Sequence, residues 1–126
     1  MISLRMPVAA GLAVLLAAAA AQAKEPPVSF QEDVFPILQQ RCVTCHQAGG
    51  LGLEKSGLDL TSYAGLMKGT KLGPMVQPGD PLTSNLMVMI EGRADKSIQM
   101  PHGKKKLTSC DRDIIRRWIQ QGAKDN

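Results

Sequence analysis

Five residues constrain this chain more than the other 121: Cys42-Val43-Thr44-Cys45-His46. They spell C-x-x-C-H, two thiols one short turn apart with a histidine directly after the second. Two such thiols can bond covalently to the two vinyl groups on one edge of a porphyrin. The imidazole that follows is then carried beneath the ring, where a neutral nitrogen can reach the iron. The expectation is therefore one covalently attached haem c, with Cys42 and Cys45 as thioether attachments and His46 as proximal ligand. Two other chemistries use paired cysteines. One is a structural zinc site assembled from Cys42, Cys45, Cys110 and a histidine; the other is a thioredoxin-like dithiol. Neither needs a histidine immediately after the second cysteine.

The residues before the motif point to export. Arg5 is followed by an apolar run from Val8 to Ala21, and Ala21-Gln22-Ala23 supplies the small-x-small pattern that signal peptidase cuts after. That run is short for a membrane-spanning helix. Residues 1–23 read as a signal peptide, 24–28 as an exposed leader and 29–126 as one domain in an exported, periplasmic protein with no permanent span. Covalent haem attachment in bacteria takes place in the same compartment.

The chain has one Trp, one Tyr and two Phe in 126 residues, too few large side chains to fill an ample core. A buried porphyrin would supply the missing apolar surface. The net charge of +4 is too small, and its cations too little interleaved with aromatics, to suggest a nucleic-acid partner.

Periodicity places about four short helices and no strand, an all-α domain with long loops around a cofactor. Ser29 with Glu32 fits a capping box at the start of the first helix, whose face is Phe30, Val34, Ile37 and Leu38, with Pro36 expected to kink it. Gly49, Gly50, Gly52 and Gly57 read as loop, and Leu58-Asp59-Leu60 as a short extended piece. Thr61 or Ser62 caps a helix ended by Gly69. A third helix runs from about Thr83 to Glu91 with Leu86, Met87, Met89 and Ile90. The last starts at Thr108, with Asp111 in the box position and Ile114, Ile115, Trp118 and Ile119 as its stripe; Gly122 ends it.

The iron's second axial face decides the function. Met67, Met87 and Met89 sit at helical spacing among apolar residues and read as core. Met75 lies in a Gly-Pro loop and stays a candidate. Met100 stands in a polar loop before Pro101, which fixes the local backbone, and is the preferred distal ligand; His102 is the alternative. His/Met ligation fills both axial positions and leaves a carrier of single electrons rather than an enzyme. A haem enzyme or gas sensor would instead need an open or displaceable sixth position, and a distal acid–base set for it is not apparent beyond His102.

Taken together these residues resemble the bacterial c-type cytochrome domains called planctomycete-type. The resemblance rests on Phe30, Val34, Pro36-Ile37-Leu38, the C-x-x-C-H motif, Gly57-Leu58-Asp59-Leu60 and Tyr63. It continues through Gly73-Pro74, Pro78-Gly79-Asp80-Pro81, Ser84, Leu86 and Met100-Pro101 to Leu107-Thr108, Ile115, Trp118-Ile119 and Gly122-Ala123. It implies a small cytochrome c fold, thioethers at Cys42 and Cys45, and His46 and Met100 as proximal and distal ligands. Such domains are often joined to larger enzymes, so redox protein donors and acceptors, or a larger redox enzyme system, are the implied partners.

Two features depart from the pattern. Cys110 has no thiol left to pair with inside the chain. It reads either as a partly buried thiol in the first turn of the last helix or as the site of an intermolecular disulfide that makes a dimer. The run Lys104-Lys105-Lys106 follows the ligand loop closely and reads as a solvated loop that can also dock a partner.

Overall fold

A computed structural model describes residues 24–126, so the signal peptide expected over 1–23 lies outside the described residues. A π-helical turn, Phe30–Val34, runs directly into α1, Phe35–Arg41. There follow α2, Leu51–Ser56; α3, Tyr63–Lys68; α4, Asn85–Ile90; a 3-10 turn, Lys96–Ile98; and α5, Ser109–Gln120. The described residues contain five α-helices and no strand, only an isolated bridge between Thr70 and Gly73. The domain is all-α, and more than half of its chain is connection.

The helix starts follow their capping residues. Ser29 Oγ accepts from Glu32 N, while Ser29 N donates in return to Asp33 Oδ2 at 2.8 Å, so Asp33 rather than Glu32 completes the box. Pro36, expected to kink a single helix, sits in the first turn of α1, at the junction between the π turn and the α-helix. It has no N–H to give to either ladder, and the change of winding falls where that donor is missing. Ser62 caps α3 and Gly69 ends it. Thr108 and Asp111 form the reciprocal box that opens α5.

Two readings change. The glycine-bearing stretch after His46 contains a helix, α2, too short for an apolar period to declare itself. It closes on Gly57 in the left-handed conformation (φ 77°), which glycine adopts without Cβ strain. The third helix begins at Asn85 rather than Thr83, because Thr83 and Ser84 are spent on the turn before it. Asp80 accepts from Leu82 N, Thr83 N and Thr83 Oγ1. Ser84, 1% exposed, donates to Asp80 O and accepts from Gln77 N, both at 2.8 Å. The Pro78-Gly79-Asp80-Pro81 element is thus a knotted turn, and Gly79 N ties it to α5 through Ile119 O.

The core lies where α5 crosses the π turn and packs on α4. All four aromatic residues of the chain meet there. The Phe30 ring lies 5.2 Å from Tyr63 and 5.4 Å from Trp118, centroid to centroid, with Phe35 at 5.8 Å. Trp118 Nε1 donates to Lys124 O and Tyr63 Oη to Ala123 O, so the polar tips of both rings are satisfied. Val28, in the leader, is buried, and its N–H donates to Gln121 Oε1. Asn126 closes the ring of termini: its carbonyl accepts from Gln31 N and Ser29 Oγ, and its side chain bonds Phe30 N and Val28 O.

Candidate cofactor site

The C-x-x-C-H motif forms one turn off the end of α1. Cys42 N donates to Leu38 O, and both Cys45 N and His46 N donate to Cys42 O at 3.1 Å. The turn brings both thiols and the imidazole to one place in the chain, as covalent attachment requires. Cys42 is half-buried against the core and Cys45 is exposed. Burial pushes the Cys42 thiol up to about 11, against the opposing pull of the positive charges on Arg41 and Lys104.

His46 is the buried member, only 7% exposed. Its Nδ1 lies 3.1 Å from the carbonyl of Leu58. A carbonyl only accepts, so Nδ1 carries the proton and Nε2 keeps its lone pair; among the described residues no side chain or backbone group bonds Nε2. The backbone of His46 is held by the same strand of chain, since Leu60 N donates to His46 O at 2.9 Å. An imidazole fixed in this tautomer by its other nitrogen is what a metal ligand needs.

Two glycines, Gly50 at the N-cap of α2 and Gly52 within it, make this packing possible. A Cβ on Gly50 would stand 2.4 Å from Cys45 O, and one on Gly52 would stand 2.8 Å from that oxygen and 2.9 Å from His46 Nε2. The backbone therefore approaches the motif at distances only glycine allows, and the flank of Nε2 is kept clear of side chain. The chemistry of the residues fits a haem: two thiols on one turn, and an imidazole oriented through Nδ1 with its other nitrogen unengaged.

The candidates for the second axial position are spread over the fold. Met75 and Met87 are buried in the core, and Met67 and Met89 are packed against it. Met100 is half-buried against the core, its N–H donating to Met89 O at 3.3 Å, and the Met100–Pro101 peptide is cis. His102 is exposed, as are Lys104, Lys105 and Lys106. The lysine run lies beside the motif: the Arg41 guanidinium donates to Lys105 O, and Lys104 is close enough to act on the Cys42 thiol.

The zinc alternative lacks its ligands. Among the described residues no three His, Cys, Asp or Glu side chains converge on a point that could hold a metal ion. Cys110 corrects a second reading. It is exposed rather than partly buried, because the second position of α5 faces away from the stripe of Ile115, Trp118 and Ile119. All three cysteines are free thiols.

Sequence reasoning named the motif but not its supports. Arg41, Gly52 and the Leu58 carbonyl carry no ligand-type chemistry of their own. Leu58 was visible only as the start of a short extended piece and as part of the Gly-Leu-Asp-Leu element of the family resemblance.

Residues 42–102 match the model of one protein family, Planctomycete cytochrome C. No curated protein and no solved structure matched the chain. The match opens on Cys42 and ends at His102. It contains the attachment turn, the Leu58–Leu60 strap, the knotted Pro-Gly-Asp-Pro turn and Met100, and leaves out the π turn, α1 and α5. The chain carries a planctomycete-type cytochrome c domain, a family that binds haem c and serves in electron transfer.

Proposed function

We propose that this planctomycete-type cytochrome c domain holds a single haem and passes single electrons between two protein partners, with no substrate transformed at the iron. The observation that carries the reading is His46: buried, oriented through Nδ1 by the Leu58 carbonyl, and free at Nε2 within the C-x-x-C-H turn. Bound haem supplies a one-electron ferric–ferrous couple.

The chain's residues have four tasks in this scheme. Cys42 and Cys45 would hold the haem covalently as thioethers. His46 Nε2 would bind the iron, and the Leu58 carbonyl, accepting from Nδ1, would raise the basicity of that nitrogen. The Met100 thioether would be the second protein ligand of the iron, with His102 as the alternative. Soft sulfur ligation favours the ferrous state and raises the potential. Held by two protein ligands, the iron would exchange single electrons and offer no coordination site to a substrate.

Half-buried Arg41 and the exposed Lys104, Lys105 and Lys106 flank the attachment turn and, among the described residues, have no carboxylate within ion-pairing distance, whereas Arg93, Arg116 and Arg117 are each paired. This face docks the acidic surface of a donor or acceptor. Export to the periplasm follows from residues 1–23, and among the described residues no helix is long and apolar enough to cross a membrane. Exposed Cys110 offers a disulfide to a second copy, and a monomer on non-reducing electrophoresis would dismiss that dimer.

Absorption spectra of the purified protein, oxidised and reduced, test the reading. Sharp reduced c-type bands and a weak far-red oxidised band from sulfur–iron ligation are expected, with that band lost in Met100→Ala. A haem spectrum altered by carbon monoxide would favour an enzyme or sensor. Absence of haem bands from a host that matures such proteins would defeat it.

A further inference from the structure

Resting on that reading, the geometry points to Arg41 as the positioning residue that holds the Met100 loop closed over the cofactor. Arg41 is the last residue of α1 and the covalent neighbour of Cys42. Its Nη2 donates to Lys105 O and lies 3.5 Å from Lys106 O. Those carbonyls belong to the limb that leaves Met100-Pro101, so one side chain bridges the thiol-bearing turn and the loop that carries the distal ligand.

The loop has few other restraints. Its entry is held by Met100 N on Met89 O, and its exit by buried Leu107, whose carbonyl accepts from Arg112 Nη1 at 2.9 Å. Between these, residues 102–106 are all exposed. Lys104 N reaches back only to Pro101 O, within the loop itself, at 3.4 Å. Lys106 Nζ makes a long contact of 3.4 Å to Glu91 O. Among the described residues Arg41 alone ties this limb to α1.

The chemistry of the tie suits positioning. A guanidinium directs N–H groups in a fixed plane and cannot lose its proton, so it grips main-chain carbonyls whatever side chains they carry. It does so here against like charge, since drawing Arg41 up to three lysines costs Coulombic energy that a merely solvated loop would avoid. A fixed limb shifts the equilibrium of the Met100 thioether towards the bound form, and a released limb populates the open form.

The test uses the holoprotein and added imidazole, which competes with Met100 for the iron. Loss of the far-red sulfur–iron band reports displacement, and thermal unfolding is followed in parallel. Arg41→Gln removes a charge-assisted bond, and the apparent affinity for imidazole is expected to rise about tenfold, with Arg41→Lys in between. Arg112→Gln, which loosens the loop exit already pinned by Leu107, is expected to change it far less. If Arg41→Gln cannot be matured, Arg41→Lys carries the comparison alone. A lowered melting temperature with unchanged imidazole affinity would make Arg41 a structural residue and overturn the inference, leaving the proposed function intact. A wild-type protein with haem but no far-red band would take Met100 off the iron and overturn the inference, while the electron-carrier reading would stand on His102 ligation unless carbon monoxide altered the spectrum.

Discussion

The carbonyl of Leu58 stands 3.1 Å from Nδ1 of His46, twelve residues earlier in the chain. Two residues beyond Leu58, the Leu60 N–H takes the backbone carbonyl of the same histidine. Side chain and main chain of His46 are thus strapped by one short extended segment. The strap is in place only because α2 turns the chain back, and α2 fits only because its closest residues to the motif have no side chain.

Gly52→Ala tests that dependence. The added Cβ would meet Cys45 O and His46 Nε2 inside 3 Å, and one of those atoms is backbone, so the turn must shift. The expected cost is about 1–3 kcal/mol of stability, as for other overpacked sites. The haem-to-protein ratio after maturation is expected to fall with it; a variant with full haem content and an unchanged unfolding midpoint would show that the helix does not press on the motif.

The lysine face makes a prediction about rates. Electron transfer to an anionic reagent such as hexacyanoferrate should slow as salt rises, since the Debye length falls to about 8 Å near 0.15 M. Replacing Lys104, Lys105 and Lys106 together by Gln should slow it several-fold at low salt. The same loss of charge at the exposed residues Lys55, Lys68 and Lys124 should slow it much less. Equal effects from the two triple variants would mean that net charge, not a local face, governs encounter.

Acid should weaken the junction of α4 and α5. Glu91 is partly buried, which opposes ionisation, but hydrogen bonds and charge from Arg116 and Arg93 outweigh this and hold its carboxyl below the usual value. A depressed carboxyl contributes stability above its unfolded value of 4.5, and loses it as pH falls through the folded value. Glu91→Gln should therefore cost about 1 kcal/mol at neutral pH, as for a partly exposed ion pair, and progressively less below pH 4.5. Denaturant midpoints from pH 7 to pH 3 would check the sign; a constant difference across that range would refute it.

Trp118→Ala should be the most damaging single change outside the motif. Trp118 is 1% exposed and joins the π turn to α5 through Phe30 and Tyr63. Truncations of this kind cost about 3–5 kcal/mol, a large share of what a small domain possesses. Urea unfolding of the matured protein measures the loss, and a cost below 1 kcal/mol would mean that haem, not this cluster, organises the helices.

What could be read in the residues followed from their chemistry. Capping residues such as Ser62 and Thr108 bond their own helix, so they declare it locally. The C-x-x-C-H spacing carries its function in covalent bond lengths, and the stripe of Ile115, Trp118 and Ile119 repeats at the helical period. What could not be read depended on distant chain. Helix α2 is held by contacts at Gly50 and Gly52 rather than by an apolar face. Cys110 was misjudged because one thiol near a helix start does not say which way that turn faces. The Leu58 carbonyl and the carbonyls gripped by Arg41 are main-chain atoms, which every residue has, so no residue type marks them.

The aromatic cluster has a practical consequence. Trp118 is the sole tryptophan of the chain and is enclosed by rings on the core side. Its emission therefore has a single source, and a haem bonded to so small a domain would drain that emission by resonance energy transfer. Fluorescence would be dark while α5 stays docked and bright once the chain expands. The protein would carry its own optical gauge of folding, readable at concentrations too low for the absorption of the metal.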